Sequence, residues 1–321
     1  MPRFPEPPAD DYAIVYLEDT DHPLPEKLNP GTRYAYFKTI AKGGKSIIQS
    51  CKDLHLRRVI CYKKLRPEFA DDPTETRRFL REARVSAALQ HPSIIPTYEV
   101  GRDSRGQYYF TMKLVHGFTM RELFDEKYRD RYDLTQLIDV LIDVAHALRY
   151  AHAHGVVHRD IKPDNILVGP FGEVLLMDWG LAKVWSESGD SNEPEPSKAQ
   201  ADVSSDDVTA MTLAGKLEGT LAYMSPEQLD ADPEIDFRTD LYSMGVVLYE
   251  MLARRTPFEG EKVHHLTEAI RAGNPPRPST LNPLRIPQPL EDLALQCLQI
   301  DPDARISGCE ELIRRLQNDW R

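Results

Sequence analysis

Polar and apolar residues alternate in blocks in the stretch at residues 158–180, HRDIKPDNILVGPFGEVLLMDWG. Its polar residues include Asp160, Lys162, Asn165 and Asp178, and its two apolar segments are ILV and VLLM. Polar groups next to buried strands cost free energy unless they are hydrogen-bonded or have a task. The GPFG turn between the apolar segments predicts a β-hairpin.

Composition limits the classes of partner. The chain has 321 residues, enough for one large domain or two lobes, and a net charge of −11. This charge makes non-specific binding to nucleic acid or to anionic membranes unfavourable, so we expect no nucleic-acid partner. The four cysteines form no C-x-x-C pair and suggest free thiols in a reducing compartment, which favours a cytoplasmic location.

We expect no membrane segment in this chain. The N-terminus, MPRFPEPPADD, lacks the apolar segment of a secretory signal. The most apolar stretch, residues 244–252, is interrupted by Glu250 and is too short to span a bilayer. A native chain that extends past Arg321 would leave tethering to a membrane open.

The first third is predicted to be rich in strands. Residues 1–33 are Pro-rich and acidic and are typical of a disordered or loosely docked extension. Strand patterns follow in YAYFKTI, SIIQSC, RRVICYKKL, IIPTYEVG and YYFTMKLV. One helix interrupts them, with Asp72 as N-cap, Pro73 at the first position and Glu75 completing a capping box.

After Gly117 the pattern is mostly helical. Helices are predicted at 134–154, 239–252, 263–272, 289–299 and 308–317, with the hairpin of residues 165–178 between the first two. Residues 186–207 carry many acids and no periodicity, which is typical of a long loop.

The motifs His158-Arg159-Asp160, Lys162, Asn165 and Asp178-Trp179-Gly180 resemble the catalytic loop and metal-binding turn of protein kinases. Lys162 in HRDIKPDN is the serine/threonine form, and MDWGLAK and YMSPEQL are similar to bacterial eukaryotic-like serine/threonine kinases. The resemblance implies a bilobal α+β kinase fold over residues 34–318. An N-lobe of about 34–115 would hold a small antiparallel sheet and one helix, and a C-lobe of about 116–318 would be mainly helical. ATP and Mg²⁺, or Mn²⁺ in its place, would bind in the cleft between the lobes.

The resemblance implies roles for individual residues in phosphoryl transfer to protein serine or threonine hydroxyls. Asp160 would orient the hydroxyl and accept its proton, with Lys162 beside the transferred phosphate. Asn165 and Asp178 would hold the metal ion through oxygen atoms. Lys63, held by Glu82, would bind the α- and β-phosphates, and Thr220 would contact the catalytic loop.

Nucleotide contacts follow from the same resemblance. Ile48 and Cys61 would cover the adenine from one side and Leu167 from the other. Lys113-Leu114-Val115 would be the hinge, with Met112 as gatekeeper. The glycine-rich loop departs from the family pattern: in the register Ala41-Lys42-Gly43-Gly44-Lys45-Ser46, only the middle glycine, Gly43, survives. Alanine and serine add Cβ atoms where glycine lets the backbone approach phosphates closely.

Other matched residues have structural or regulatory roles in the family. His158 is expected to fill space in the core rather than act as an acid or base. Glu227 and Arg305 are expected to form a buried ion pair, and Asp240 is expected to support the catalytic loop. Trp179, Leu221 and Ser225 replace the usual Phe, Pro and Ala of their motifs. Arg159 would bind a phosphate on the activation segment, residues 178–227, where Thr209 or Thr212 is the predicted autophosphorylation site.

Two other classes stay open. The altered glycine loop favours a nucleotide-binding pseudokinase scaffold. The intact catalytic and binding residues argue against that class: Lys63, Asp160, Asn165 and Asp178. A kinase for small molecules or lipids is disfavoured by the long GTLAYMSPEQ segment, which in the family forms the peptide-docking surface. Protein substrates with serine or threonine, and a dimer for autophosphorylation in trans, are the expected partners.

Overall fold

The computed structural model describes residues 23–24, 33–125, 132–184, 216–260, 262–282 and 286–320. The chain separates into two compact units. Of the described residues, the first unit holds those up to 90 with 94–117 and 169–171, and the second unit holds 91–93 and the described residues of 118–168 and 172–320. The predicted extension at 1–33 lies almost wholly outside the described residues, and the acidic insert at 186–207 entirely so.

The first unit is a five-stranded antiparallel sheet with one long helix. Its strands are β1 Tyr34–Lys42, β2 Ser46–Asp53, β3 Arg58–Leu65, β4 Thr97–Arg102 and β5 Tyr108–Met112, in the spatial order β1-β2-β3-β5-β4. Helix α1, Pro73–Ala88, follows β3 after a short 3₁₀ turn at Pro67–Phe69. The five predicted strands and the helix are confirmed, although β5 ends at Met112 and leaves the predicted KLV outside the sheet.

The N-cap of α1 is confirmed, but the capping box is wrong. The Asp72 carboxylate accepts hydrogen bonds from the backbone of Thr74 and Glu75. The Glu75 carboxylate does not complete the box and accepts instead from Lys45 and Arg78. Cationic side chains outcompete a neutral backbone N–H for a carboxylate, because charge-assisted hydrogen bonds are the stronger ones.

The second unit is mainly helical. Its helices are α2 Met120–Phe124, α3 Leu134–Ala153, α4 Lys216–Leu221, α5 Pro226–Leu229, α6 Arg238–Ala253, α7 Val263–Ala272, α8 Pro278–Leu281, α9 Gln288–Cys297 and α10 Cys309–Asn318. Its short strands are β6 Phe118–Thr119, β7 Val156–Val157, β8 Ile166–Val168, β9 Val174–Leu176 and β10 Lys183–Val184, with 3₁₀ turns at Pro163–Asn165 and Pro302–Ala304. The β8–β9 hairpin and all five predicted helices are confirmed to within two residues. The α+β class is likewise confirmed.

Helix α6 forms the centre of the second unit. Fourteen of its sixteen residues are buried, so it is surrounded by other parts of the unit on nearly every side. No helix in the described parts of the chain is long and apolar enough to cross a bilayer.

Gly245 of α6 lies in close contact with α9. A Cβ atom there would lie 2.4 Å from Cβ of Cys297 on α9. Replacing glycine by alanine within a helix gains about 0.5–1 kcal/mol, but overpacking a core costs about 1–3 kcal/mol. We expect Gly245→Ala to lower the free energy of unfolding in urea. Gly44→Ala is the control, because nothing lies within 4 Å of a Cβ placed there; equal effects of the two would contradict the packing argument.

Candidate active site

The loop between β7 and β8 is built on a buried histidine. His158 is fully buried and its ring lies 4.5 Å from the ring of Trp179. Its Nδ1 accepts a hydrogen bond from the backbone N–H of Asp160, at 3.2 Å, and its Nε2 donates to the carbonyl of Met177, at 3.0 Å. Burial lowers the pKa of His158, which favours the neutral ring that these bonds require. This histidine therefore packs and orients the loop.

Asp160 is held in place by two neighbours from its own loop. Both oxygens of its carboxylate accept from Lys162 Nζ, at 2.8 Å, and one accepts from the Asn165 amide at 2.9 Å. Burial raises the pKa of Asp160, Lys162 opposes this, and the charge of Asp178 raises it further. A raised pKa makes this carboxylate a better proton acceptor than an exposed aspartate.

Lys162 connects the loop to the segment that follows Gly219. Besides Asp160, its Nζ donates to Oγ1 of Thr220 on α4, at 3.2 Å. The lysine side chain is 15% exposed, so its ammonium group can meet a ligand while it is held on two sides. The structure thus brings together Asp160, Lys162 and Thr220, as the sequence predicted.

Asn165 and Asp178 supply oxygen atoms of the kind that Mg²⁺ prefers. The Asn165 amide N–H groups both go to Asp160, so its oxygen is the atom left for a cation. Asp178 takes a left-handed backbone conformation, with φ of 63°. Both residues line a cavity of about 730 Å³ together with Lys162 and Thr220. This donor set fits Mg²⁺ carried in with phosphate oxygens, a form in which the protein supplies only one or two ligands.

In the first unit, β3 and α1 form a buried ion pair. Lys63 Nζ lies 2.6 and 2.7 Å from the two oxygens of Glu82, and both side chains are largely buried. The adjacent Lys64 points to the other face of β3 and pairs with Asp103 at 2.5 Å. The period of two along a strand therefore separates the two lysines, and only Lys63 faces the helix.

Five of the predicted nucleotide-binding residues of the first unit share one face of the sheet. Ala41 pairs with Ile48, Ile48 pairs with Lys63, and Cys61 pairs with Met112. Cross-strand partners lie on the same face, as do residues two apart in one strand, so all five side chains align. Burial raises the pKa of the Cys61 thiol to about 12.

The remaining predicted nucleotide residues lie outside that row. Lys113 and Val115 follow the end of β5, where the Lys113 N–H donates to the carbonyl of Pro96 at 3.0 Å. Leu167 lies on β8 of the second unit, paired with Thr119 and Leu175. Gly43 lies in the β1–β2 turn and does not have a positive φ. A Cβ there would lie 3.3 Å from the Ser46 carbonyl oxygen, which is a tight contact.

The sequence profile described as the protein kinase domain matches residues 34–320. The chain belongs to the protein kinase family. It is 35% identical over 300 residues to serine/threonine-protein kinase PknD of Protochlamydia amoebophila, covering 89% of this chain and 30% of that protein. It is 31% identical over 302 residues to PknD of Chlamydia muridarum and 32% identical over 292 residues to PknD of Chlamydia pneumoniae. The chain thus spans about 30% of the length of these curated relatives.

The loop of this kinase domain is braced from below by a buried aspartate. Asp240 of α6 accepts from the backbone N–H groups of His158, at 2.9 Å, and Arg159, at 2.8 Å, and lies 2.8 Å from His152 Nε2. Burial alone would raise the pKa of Asp240, but these bonds hold it below its usual value. Glu227 and Arg305 also pair as predicted, at 2.7 and 2.8 Å.

The depressed pKa of Asp240 predicts how stability depends on pH. A carboxylate with a folded pKa below its unfolded value, about 3.9, stabilises the fold above that value and loses this contribution as the pH falls through the folded pKa. We expect Asp240→Asn to lower the free energy of unfolding by about 2–3 kcal/mol near neutral pH. The difference from wild type should shrink below about pH 4 in urea titrations. A difference that grew with acidity would contradict this sign.

Sequence reasoning missed a charged cluster on the cavity wall. Arg121 of α2 lies 2.6 Å from Glu250 of α6, and 3.5 Å from Asp164. Tyr223 hydrogen-bonds to both Arg121 and Glu250. The signal available in the sequence was Glu250 itself, an acid that interrupts the apolar stretch 244–252 and whose partner lies 129 residues away.

Proposed function

We propose that this chain is an ATP-dependent serine/threonine protein kinase domain that transfers the γ-phosphoryl group of ATP to hydroxyls of protein substrates. The observation that carries this is the Asp160 carboxylate, held between Lys162 and Asn165 while Lys162 also reaches Thr220. This arrangement suits positioning and charge neutralisation, which are the main demands of phosphoryl transfer. The names of the PknD relatives support the same activity.

In the proposed reaction, the substrate oxygen forms a bond to the γ-phosphorus and the bond to the β–γ bridging oxygen breaks. Asp160 orients the hydroxyl and takes its proton, aided by its raised pKa. Lys162 neutralises charge on the transferred group. Mg²⁺, or Mn²⁺ in its place, would be held by Asn165 and Asp178 and would supply positive charge beside the phosphates.

Nucleotide binding is proposed to rest on one lysine for the phosphates and on a set of further contacts. Lys63, fixed by Glu82, would bind the α- and β-phosphates. The proposed contacts to the nucleotide, apart from Lys63, are Ala41, Gly43, Ile48, Cys61, Met112, Lys113, Val115 and Leu167. Backbone groups of Lys113 and Val115 would serve the adenine edge.

The proposed kinase domain comprises residues 34–318, with an N-lobe of about 34–115 and a C-lobe of about 116–318. Arg159 is proposed to bind an activating phosphate. The candidate sites, Thr209 and Thr212, lie outside the described residues, so their phosphorylation stays a prediction. Autophosphorylation in trans through a dimer is part of this proposal. A cytoplasmic location is proposed on the four free, buried cysteines.

The test is to incubate the purified chain with radiolabelled ATP and Mg²⁺ beside an Asp160→Asn variant. We expect label on the wild type and a loss of at least about 100-fold in the variant, because the proton acceptor is gone. Thermal melting with and without ATP would show whether each binds nucleotide. If ATP binds and neither protein is labelled, the result favours the pseudokinase scaffold, the alternative that is supported by Ala41 and Ser46 in the glycine loop.

A further inference from the structure

The β1–β2 turn, residues 42–46, takes the place of the family's glycine-rich loop and is held by an ion pair. Lys45 Nζ lies 2.6 Å from Oε1 of Glu75 on α1. The Glu75 side chain is 11% exposed and that of Lys45 is 42% exposed. Arg78, one turn further along α1, donates to the same Glu75 oxygen at 3.2 Å. The turn is therefore tied to the first turn of the helix by a carboxylate that is itself anchored.

Other contacts hold the same turn against the sheet. The Gly43 N–H donates to the Ser46 carbonyl at 2.8 Å, closing the hairpin. The backbone N–H of Arg66 donates to the Lys45 carbonyl at 2.9 Å, and its guanidinium donates to the Gly44 carbonyl at 3.1 Å. These bonds fix the turn to β3 and its end, whereas the Lys45–Glu75 pair links it to α1.

Glu75 and Glu82 lie on the same face of α1. They are seven positions apart, close to two helical turns, or about 10 Å along the axis. Each carboxylate pairs with a lysine of the sheet or its turn: Glu75 with Lys45 of the β1–β2 turn, and Glu82 with Lys63 of β3. The helix that holds the proposed phosphate-binding Lys63 therefore also holds the proposed phosphate loop.

We propose that Lys45 and Glu75 are positioning residues for the nucleotide, whose ion pair sets the place of the loop relative to α1. This rests on the proposed function of the chain. With Ala41 and Ser46 in place of two glycines, the loop has less freedom to adapt to a triphosphate. The position of the loop must then be set before ATP binds. The Lys45–Glu75 ion pair sets it relative to α1, the helix that also holds Lys63 through Glu82.

The test compares Lys45→Met, Glu75→Gln and the double variant with wild type, measuring the ATP dissociation constant by calorimetry and kcat and KM for ATP. A partly exposed ion pair is of modest strength, so we expect each single variant to raise the ATP Kd about 2- to 5-fold. Because one interaction is lost in each case, the double variant should match the singles. The kcat of these variants should stay within about 2-fold of wild type. Lys45→Arg, which keeps the cation, should have the ATP Kd of wild type.

The sign of the Glu75→Gln effect separates positioning from direct contact. If Lys45 itself bound the phosphates, Glu75→Gln would release Lys45 and leave the ATP Kd unchanged or lower. Lys45→Met would then raise the ATP Kd. That result, or unchanged affinity in both single variants, would overturn the proposal. Asp103→Asn is the matched control, because it breaks the Lys64–Asp103 pair of the same sheet without touching the loop.

Hydrogen exchange gives a readout that needs no nucleotide. The amides of Gly43 and Arg66, which donate within and onto the turn, should exchange faster in Lys45→Met and Glu75→Gln than in wild type. Unchanged exchange would overturn the proposal even if affinity fell. If the wild type binds ATP but transfers no phosphate, the proposed kinase activity is wrong. The proposal for Lys45 and Glu75 is still tested in that case, because the ATP Kd of each variant can be compared with that of wild type.

Discussion

Replacing Lys63 with methionine is expected to reduce the rate of phosphoryl transfer about 100- to 1,000-fold, the range for removing one preorganised charged or polar donor from a reacting site. Lys63 is held by both oxygens of Glu82, so its ammonium group is fixed in direction before any ligand arrives. Methionine keeps the length of the side chain and removes the charge. The measurement is the rate of label transfer to a generic protein substrate at saturating and at low ATP.

Two variants control for this experiment. Lys64→Met removes the neighbouring lysine, whose partner is Asp103 on the opposite face, and should leave the transfer rate near that of wild type. Glu82→Gln keeps Lys63 but loosens it, and should lower the rate by a smaller factor. If Lys63→Met and Lys64→Met behaved alike, the assignment of the phosphate-binding lysine would be wrong.

Replacing Arg305 with methionine is expected to cost about 3–5 kcal/mol of folding free energy, the range for breaking a buried ion pair by removing one partner. The Arg305 side chain is 0% exposed and pairs bidentately with Glu227. It also donates to the backbone carbonyls of Arg238, Gln299 and Ile300. The variant leaves a carboxylate and three acceptors without their donor. Urea unfolding followed by circular dichroism measures the loss.

Arg271 supplies the matched comparison for Arg305. It pairs with Asp230 at 2.7 Å, but both side chains are about half exposed. Exposed pairs contribute about 0–1 kcal/mol, so Arg271→Met should change stability by no more than that. A loss at Arg305 no larger than the loss at Arg271 would show that burial does not govern the strength of this pair.

Much of the site could be predicted from the sequence because its residues are close along the chain or fixed by strand periodicity. Asp160, Lys162 and Asn165 lie within six positions, so their mutual contacts follow from local geometry. In the sequence, the resemblance to the family distinguishes Lys63 from Lys64, and the alternation along β3 explains why Lys63 is the one that meets Glu82. The roles of these residues in catalysis stay predictions until the variants are measured.

What the sequence did not reveal depends on distant partners or on very short elements. Glu75 suited a capping box locally, but Lys45, thirty positions earlier, competes for its carboxylate. Arg121 meets Glu250 across 129 positions, and no local pattern encodes such a pair. Four helices of four to six residues were not predicted, because so few residues show no helical period: Met120–Phe124, Lys216–Leu221, Pro226–Leu229 and Pro278–Leu281.

The burial of the cysteines has a practical consequence for chemical labelling. Burial raises the pKa of Cys51, Cys61 and Cys297 to about 12 and that of Cys309 further still, so at neutral pH all four are thiols. Alkylating reagents attack the thiolate, and these side chains are also shielded from them. A cysteine introduced on the surface should therefore take a fluorophore or spin label selectively, with the native cysteines left in place. For the same reason, a covalent inhibitor aimed at Cys61 would lack its nucleophile.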